Sequence, residues 1–244
     1  MMERMHRFFI AHPLEPGKLI LTNKDLVHQL TRVLRVKSGG EFVLFSTEPQ
    51  HAGWDFVFRV AKVSMASIEG EIVEKIKNDR EPKFVLTLYQ SIPKKDKMEW
   101  ILEKGTEIGV SAFVPIVSEH SVKMSLNYER VGKVLKEAAE QSGRGIIPEC
   151  RETMSFAEAL ASIKKEGSLS ILAHEKESAH RLDSLPLSNQ KINLFIGPEG
   201  GFSEAEVAEA KAAGLFVVSL SRRVLRSETA AITASYFLLH RFGY

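Results

Sequence analysis

Cysteine is almost missing from these 244 residues: the one thiol, Cys150, has no partner for an intrachain disulfide, so a disulfide-stapled fold is excluded. A lone cysteine is most often a small buried apolar residue, and a reducing compartment is the natural expectation. Long apolar runs are missing too. The opening "MMERMHRFFIAHP" has four apolar residues in a row before His12-Pro13, fewer than a signal-peptide core needs, and no later stretch approaches a membrane span. The chain therefore reads as cytoplasmic, with no membrane partner. Charge excess is small, formally +2, so a nucleic-acid partner must be argued from where the charges fall. The histidines show no metal-ligand spacing, and no metal is expected. The two common phosphate-binding glycine spacings are absent from the glycine-rich turn "LFIGPEGGFSEAEV", residues 194–207. Gly200-Gly201 is followed by Phe202 and Ser203 rather than Lys-Ser/Thr, and Gly197 by Pro198 and Glu199 rather than a second glycine two positions on.

What is present is an ordinary globular composition, with hydrophobic residues at 44% and charged residues at 26%, which excludes disordered, fibrous and membrane classes. The length allows two domains. Residues 1–76 read mainly as strands, "RFFIA", "EFVLFS", "WDFVFRVAKV" and "ASIEGEIVEKI", with alternation clearest at Phe56, Phe58 and Val60. One helix interrupts them, "NKDLVHQLTRVLRV", with Asn23 as N-cap and Val27, Leu30 and Leu34 on the apolar side. Its other side carries Lys24, His28, Arg32 and Arg35 at i, i+4, i+8 and i+11, one charged face of a helix or a solvated one. The charged segment "IKNDREPK", residues 76–83, marks the domain boundary.

From residue 77 to 244 strands alternate with helices, which predicts an α/β domain with a largely parallel sheet. In the glycine-rich stretch "INLFI" is a buried-type strand, and Ser203 with Glu206 makes a capping box for a helix over 203–213. The turn therefore lies at the carboxyl end of a strand, where open α/β sheets bind ligands. Further on, "VVSLSRRVLRSETAAITASYFLLHRF", residues 217–242, reads as a strand ending near Leu220, a loop with Arg222, Arg223 and Arg226, and a helix from Ser227. Ala230, Ala231 and Ala234 permit close backbone approach there. Two adjacent strand-end loops lining one pocket is the reading of the pair.

"IGPEGGFSEAE" followed by "LSRRVLRSETAAITA" resembles the SPOUT superfamily of S-adenosylmethionine-dependent RNA methyltransferases, and within it the branch that methylates N3 of a uridine in 16S ribosomal RNA. "HQLTRVLRV", "KMEWILEKGTEIGVSAFVPIVSEHSV" and "AAEQSGR" are similar to that branch's segments, in its order. The resemblance implies a small N-terminal PUA-like β-barrel that binds RNA and a C-terminal domain threaded through a trefoil knot, which general connection rules would not foresee. It implies S-adenosylmethionine as methyl donor, held by three loops: Leu172 and His174 in "ILAHE"; Ile196, Gly197, Pro198, Glu199, Gly200 and Gly201; and Leu220, Val224 and Leu225, with Thr229 just beyond. Such a donor has no phosphate, so a P-loop would have nothing to bind.

The same resemblance makes Arg226 the candidate for stabilising negative charge on the uracil, with Glu107 a second candidate for proton handling or for positioning. It turns the Lys24, His28, Arg32 and Arg35 stripe into an RNA-contacting face. Arg7, Arg144, and Lys94, Lys95 and Lys97 at an unfavourable helix start join it as candidates. A homodimer acting on 16S rRNA, within an assembled small subunit, is implied as well. The C-terminal helix agrees, with Ile232, Tyr236, Phe237, Leu239 and Phe242 spread over a wide arc. The rival expectations are a non-catalytic RNA-binding protein retaining the SPOUT fold and an α/β enzyme using a nucleotide; the intact glycines and the missing phosphate spacings argue against each in turn.

Overall fold

A computed structural model of the chain describes residues 5–94, 97–121, 125–163, 168–185 and 191–243, with the side chain of Phe242 outside that set. Lys95 lies outside the described residues. The chain divides into two compact units. The first takes residues 1–81 and also 139–147; the second takes 82–138 and 148–244. The break after Glu81 falls within the charged segment 76–83, five residues past the end expected for the first domain at 76, and the return of 139–147 to the first unit has no counterpart in the sequence reading.

The first unit is a mixed five-stranded sheet of β1 (Arg7–Phe9), β2 (Gly17–Leu21), β3 (Glu41–Phe45), β4 (Trp54–Val63) and β5 (Ile68–Lys77), in the order β1-β3-β4-β5-β2. β1 runs parallel to β3 and the other pairs are antiparallel. Phe56, Phe58 and Val60 are all buried, in a core with Phe8, Phe42 and Leu30. Gly70 on β5 is there because a Cβ would sit 2.2 Å from Arg59 O and 2.5 Å from the Phe58 ring.

α1 (Lys24–His28) is capped by the Asn23 side chain, which accepts from Leu26 N, as its sequence predicts. It does not continue as an α-helix: Gln29–Val33 forms a wider π turn, and Arg35 beyond it has φ 52°. Val27 and Leu30 are buried, whereas Leu34 is only half-buried. The extra residue in the turn breaks the 3.6-residue register, so the predicted i+8 and i+11 positions do not continue the α-helical face of Lys24 and His28. Lys24, His28, Arg32 and Arg35 are nonetheless all exposed.

Two proposed RNA contacts are corrected here. Arg7 is buried and bidentate to Asp55, with one Nη2–Oδ1 distance of 2.8 Å, and Nη2 also donates to Arg144 O at 3.0 Å. Arg144 is buried and donates to Glu81 through Nη2 at 2.8 Å and Nε at 3.2 Å. Glu81 Oε1 further accepts from the backbone of Gly145 and Ile146, and Asn78 Nδ2 bonds Asp55 and Gly143 O at 3.0 Å each. Both guanidiniums hold residues 139–147 in the first unit instead of facing a phosphate.

The second unit is built on a parallel sheet. Its strands are β6 (Val85–Ser91), β7 (Ala112–Val117), β8 (Glu149–Cys150), β9 (Met154–Ser155), β10 (Leu169–Ala173), β11 (Lys191–Ile196) and β12 (Phe216–Val218). They lie in the order β12-β10-β11-β6-β7-β8, with β9 also on β7. The helices are α2 (Lys97–Ile108), α3 (Tyr128–Ser142, its last turn counted with the first unit), α4 (Phe156–Ile163), α5 (Glu204–Ala212) and α6 (Ser227–Phe242). The predicted α/β architecture is present. Tyr89 stacks on Phe195 at 4.3 Å in a core that includes Leu172, Phe202, Val207 and Val217. On α6 Leu239 is buried, Ile232 and Phe237 are half-buried and Tyr236 is 54% exposed.

Replacing Arg144 by methionine leaves the half-buried Glu81 carboxylate without its guanidinium, and the expected loss is about 2–4 kcal/mol of stability, below the full cost of a buried unpaired charge. Urea unfolding checks it. An unmoved midpoint would show that the pair holds nothing together.

Candidate active site

β12, β10 and β11 are neighbours and parallel, so the loops that follow them emerge at the same edge of the sheet. Those three loops line a cleft of about 250 Å³. From the β10 end come Ala173, His174 and Glu175; from the glycine turn Ile196, Gly197, Pro198, Glu199 and Gly201; from the last loop and α6 Leu220, Ser221, Arg223, Val224, Leu225, Arg226, Ser227 and Ala230. A cleft at the carboxyl ends of adjacent parallel strands is where an α/β sheet leaves its backbone donors and acceptors free for a ligand.

The glycine turn is closed by Gly201 N donating to Pro198 O at 3.0 Å, and Gly201 has φ 67°, the left-handed region that favours glycine. Gly200 is excluded from other identities by contact: a Cβ there would lie 2.9 Å from His120 Cβ. His120 Nδ1 sits 3.1 Å from both Gly200 O and Gly201 O; both are acceptors, so that nitrogen carries the proton. The helix behind the turn begins as its sequence predicts, with Ser203 and Glu206 making both bonds of the capping box. Glu206 also accepts from Glu119 N at 2.8 Å, which ties the β7 loop to the same helix start.

Charge fixes the turn from outside. Lys97 Nζ lies 2.9 Å from Glu199 Oε1 and 3.2 Å from Glu228 Oε2, and Lys94 N also donates to Glu199. The Glu199 hydrogen bond leads the groups that hold the Lys97 ammonium above its ordinary range. Burial pushes Glu199 up, but the Lys97 hydrogen bond and nearby backbone N–H groups outweigh it and keep the carboxylate below its usual range. A depressed acid stabilises above its unfolded pKa, and a raised base stabilises below its own. The tie is therefore complete at neutral pH and opens only in acid or strong base. Lys97 is thus a clamp on the turn, not a free cation for RNA, whereas the Lys94 side chain remains exposed.

The remaining expected residues divide as follows. His174, Ile196, Gly197, Pro198, Glu199, Gly201, Leu220, Val224, Leu225 and Arg226 come together in the cleft. Leu172 does not line it; its side chain is fully buried among Phe195 and Val217. Gly200 backs onto His120, and Thr229 lies beyond the wall, where Ala230 takes its place. Glu107 is corrected. It stands ten residues along α2 from Lys97, about 15 Å by helix rise, and is paired with Lys104 at 2.8 Å. Sequence reasoning did not single out Glu175, Ser221 or Ser227 as wall residues, although Glu175 and Ser221 lie inside the motifs it read and Ser227 follows the last of them; Arg223 it had placed in the pocket-lining loop. Cys150 carries no chemistry there: burial, with the Glu149 charge, pushes its thiol up to about 12.

Chemically the cleft is an apolar slot with few polar points. His174 is buried, and its Nδ1 has no partner among the described residues, so one ring nitrogen awaits a ligand atom. Glu175 and Glu199 bring carboxylates to the wall, Arg223 and Arg226 bring guanidiniums, and no lysine is among the described lining residues. Arg222, Arg223 and Arg226 stand exposed and unpaired among the described residues around the mouth, with Val224, 79% exposed, between them.

A family model described as RNA methyltransferase domain matches residues 80–239. The ribosomal RNA small subunit methyltransferase E of Bacillus subtilis is 30% identical over 94% of this chain and 94% of its own length. That of Rickettsia conorii is 32% identical over 95% and 93%. Among solved structures, a ribosomal RNA small subunit methyltransferase E from Neisseria gonorrhoeae bound to S-adenosyl methionine superposes with a TM-score of 0.90 at 29% identity, covering 98% of this chain and 99% of that one. A methyltransferase from Legionella pneumophila in complex with the same cofactor gives 0.86 at 28%, covering 99% and 100%. Full-length likeness in sequence and in backbone, converging on the segment that builds the cleft, places the chain in the ribosomal RNA small subunit methyltransferase E family.

Proposed function

We propose that the chain methylates N3 of a uridine in 16S ribosomal RNA, with S-adenosylmethionine as donor. The observation that carries the reading is the cleft itself: three strand-end loops, a glycine turn without phosphate spacing, and arginines around the mouth. The fit is chemical. A free His174 Nδ1 and the Glu175 carboxylate suit a ligand rich in hydrogen-bonding edges and positive charge, and the apolar Ile196, Leu220 and Leu225 suit an adenine face. Bound there, the donor would supply an electrophilic methyl on a sulfonium. Uracil N3 carries a proton that must leave, and the charge that develops on the base oxygens needs a cation nearby. Arg226, exposed at the mouth and without a partner among the described residues, is the group for it.

The finer parts of the reading have separate support. The order β12-β10-β11, in which later strands flank an earlier one and α6 follows at the same edge, is compatible with a trefoil-knotted chain. The first unit, with Lys24, His28, Arg32 and Arg35 exposed, is read as a PUA-like RNA-binding barrel. Lys94 is retained as a contact; Arg7, Lys97, Arg144 and Glu107 are withdrawn. A homodimer through α6 would cover Tyr236, and sedimentation at low micromolar concentration should show about twice the 27.3 kDa of one chain.

Arg226→Ala is expected to lower the single-turnover methylation rate by about 10²–10³, as loss of a charge-stabilising donor does, with donor affinity by calorimetry nearly unchanged. A rate within a few-fold of the parent would remove Arg226 from the chemistry. Reversing Lys24 and Arg32 to glutamate should reduce the slope of log affinity for 16S RNA against log salt by about 1–2, since each phosphate contact releases counterions. An unaltered slope would make the stripe a solvated face.

A further inference from the structure

Gln90 is the penultimate residue of β6, is fully buried, and pairs across the sheet with Ile196, the residue before Gly197. Its amide Nε2 donates to Ser91 O at 2.8 Å and to Ser227 Oγ at 3.0 Å. Ser227 Oγ donates in turn to Gly197 O at 2.6 Å. Chemistry fixes the direction of this relay, because both ends are carbonyl oxygens and a carbonyl can only accept. The amide nitrogen must face Ser91 O. The single hydroxyl proton of Ser227 must go to Gly197 O, which leaves its lone pairs for Gln90.

The relay joins two of the three loops of the cleft. Gly197 opens the glycine turn, and Ser227 is the first residue of α6. Immediately before it stands Arg226, the N-cap, extended at φ −64° and ψ 151° and with no side-chain capping bond of its own. Holding Ser227 therefore holds the Arg226 Cα one peptide away, about 3.8 Å. We infer that Gln90 is a positioning residue for methyl transfer: through Ser227 it sets both the Gly197 carbonyl on the donor side and the backbone from which Arg226 reaches the acceptor. The inference rests on the proposed function above. Gln90 is not among the residues lining the cleft, so it acts only through its neighbours.

A purely structural role forecasts something different. Gln90 Oε1 has no partner among the described residues, and an amide buried with one acceptor unmatched adds little to stability. Methionine, of similar shape, should then fold as well or better, and it removes the donor to Ser227. The test is Gln90→Met, read by melting temperature, donor affinity in calorimetry and single-turnover rate at saturating donor. We expect the melting temperature to hold, donor affinity to fall about three- to tenfold, the value of one buried hydrogen bond, and the rate to fall further as Arg226 loses its placement. Ser227→Ala should match both losses, the double variant should add nothing, and Ser227→Thr, which keeps the hydroxyl, should restore most of them.

Unchanged affinity and rate in folded Gln90→Met would overturn the inference, as would losses that add to those of Ser227→Ala. If Gln90→Met does not fold, the Ser227 pair decides alone: the relay requires alanine to lose activity and threonine to keep it. Failure of the parent chain to bind S-adenosylmethionine would sink the proposed function itself. Binding by the parent chain with no effect of any of these substitutions sinks only the relay.

Discussion

Parallel strands that lie side by side must end at the same edge, and the site of this protein depends on that constraint. β10, β11 and β12 are separated in sequence by an expanse of chain that includes α5, yet their register brings His174, Gly197 and Leu220 into one wall. The sheet supplies position and the loops supply chemistry. Backbone torsion matters where the turn must reverse in a few atoms, at Gly201, and side-chain volume matters where His120 comes up behind Gly200. Neither glycine needs to touch a ligand to be required.

Electrostatics then separates inside from outside. Outside the cleft Lys97 bridges the carboxylates of Glu199 and Glu228 and fixes the turn, while Arg222, Arg223 and Arg226 are exposed and without an ion pair among the described residues. One lysine held between two carboxylates thus stands beside a rim of exposed guanidiniums, so the two signs of charge are kept apart at one site. A polar chain from Ser121 through Ser118, Ser91 and Gln90 to Ser227 links the end of β6 to the loop after β7 and to the start of α6.

How far this was legible in the sequence followed from how local each signal is. The Ser203–Glu206 capping box, the Asn23 cap, the buried strand "INLFI" and the alternation at Phe56 and Phe58 depend on neighbours within a few residues, and each stands in the structure as read. Arg7, Arg144 and Glu107 failed because residue type says nothing of who stands opposite. Asp55, Glu81 and Lys104 answer them, two of the three from more than forty residues away. A hint lay in the text: Arg7 precedes two phenylalanines in a strand, and Arg144 sits between glycines that let backbone crowd in. The π turn after His28 had no such hint, because its five-residue step is carried by ordinary helix formers.

Residues 139–147 reach the first unit only after residues 82–138 of the second have been laid down along the chain. A ribosome making this protein emits Asp55, Asn78 and Glu81 long before the Arg144 loop that completes their bonding. The N-terminal unit therefore completes its bonding later than its own strands are made, unlike a domain encoded in one piece. Asp55 has its Arg7 partner within the first 81 residues, whereas Glu81 waits for Arg144. A chain that stops short of residue 144 thus leaves Glu81 without its guanidinium partner, although every strand of the N-terminal sheet is already present.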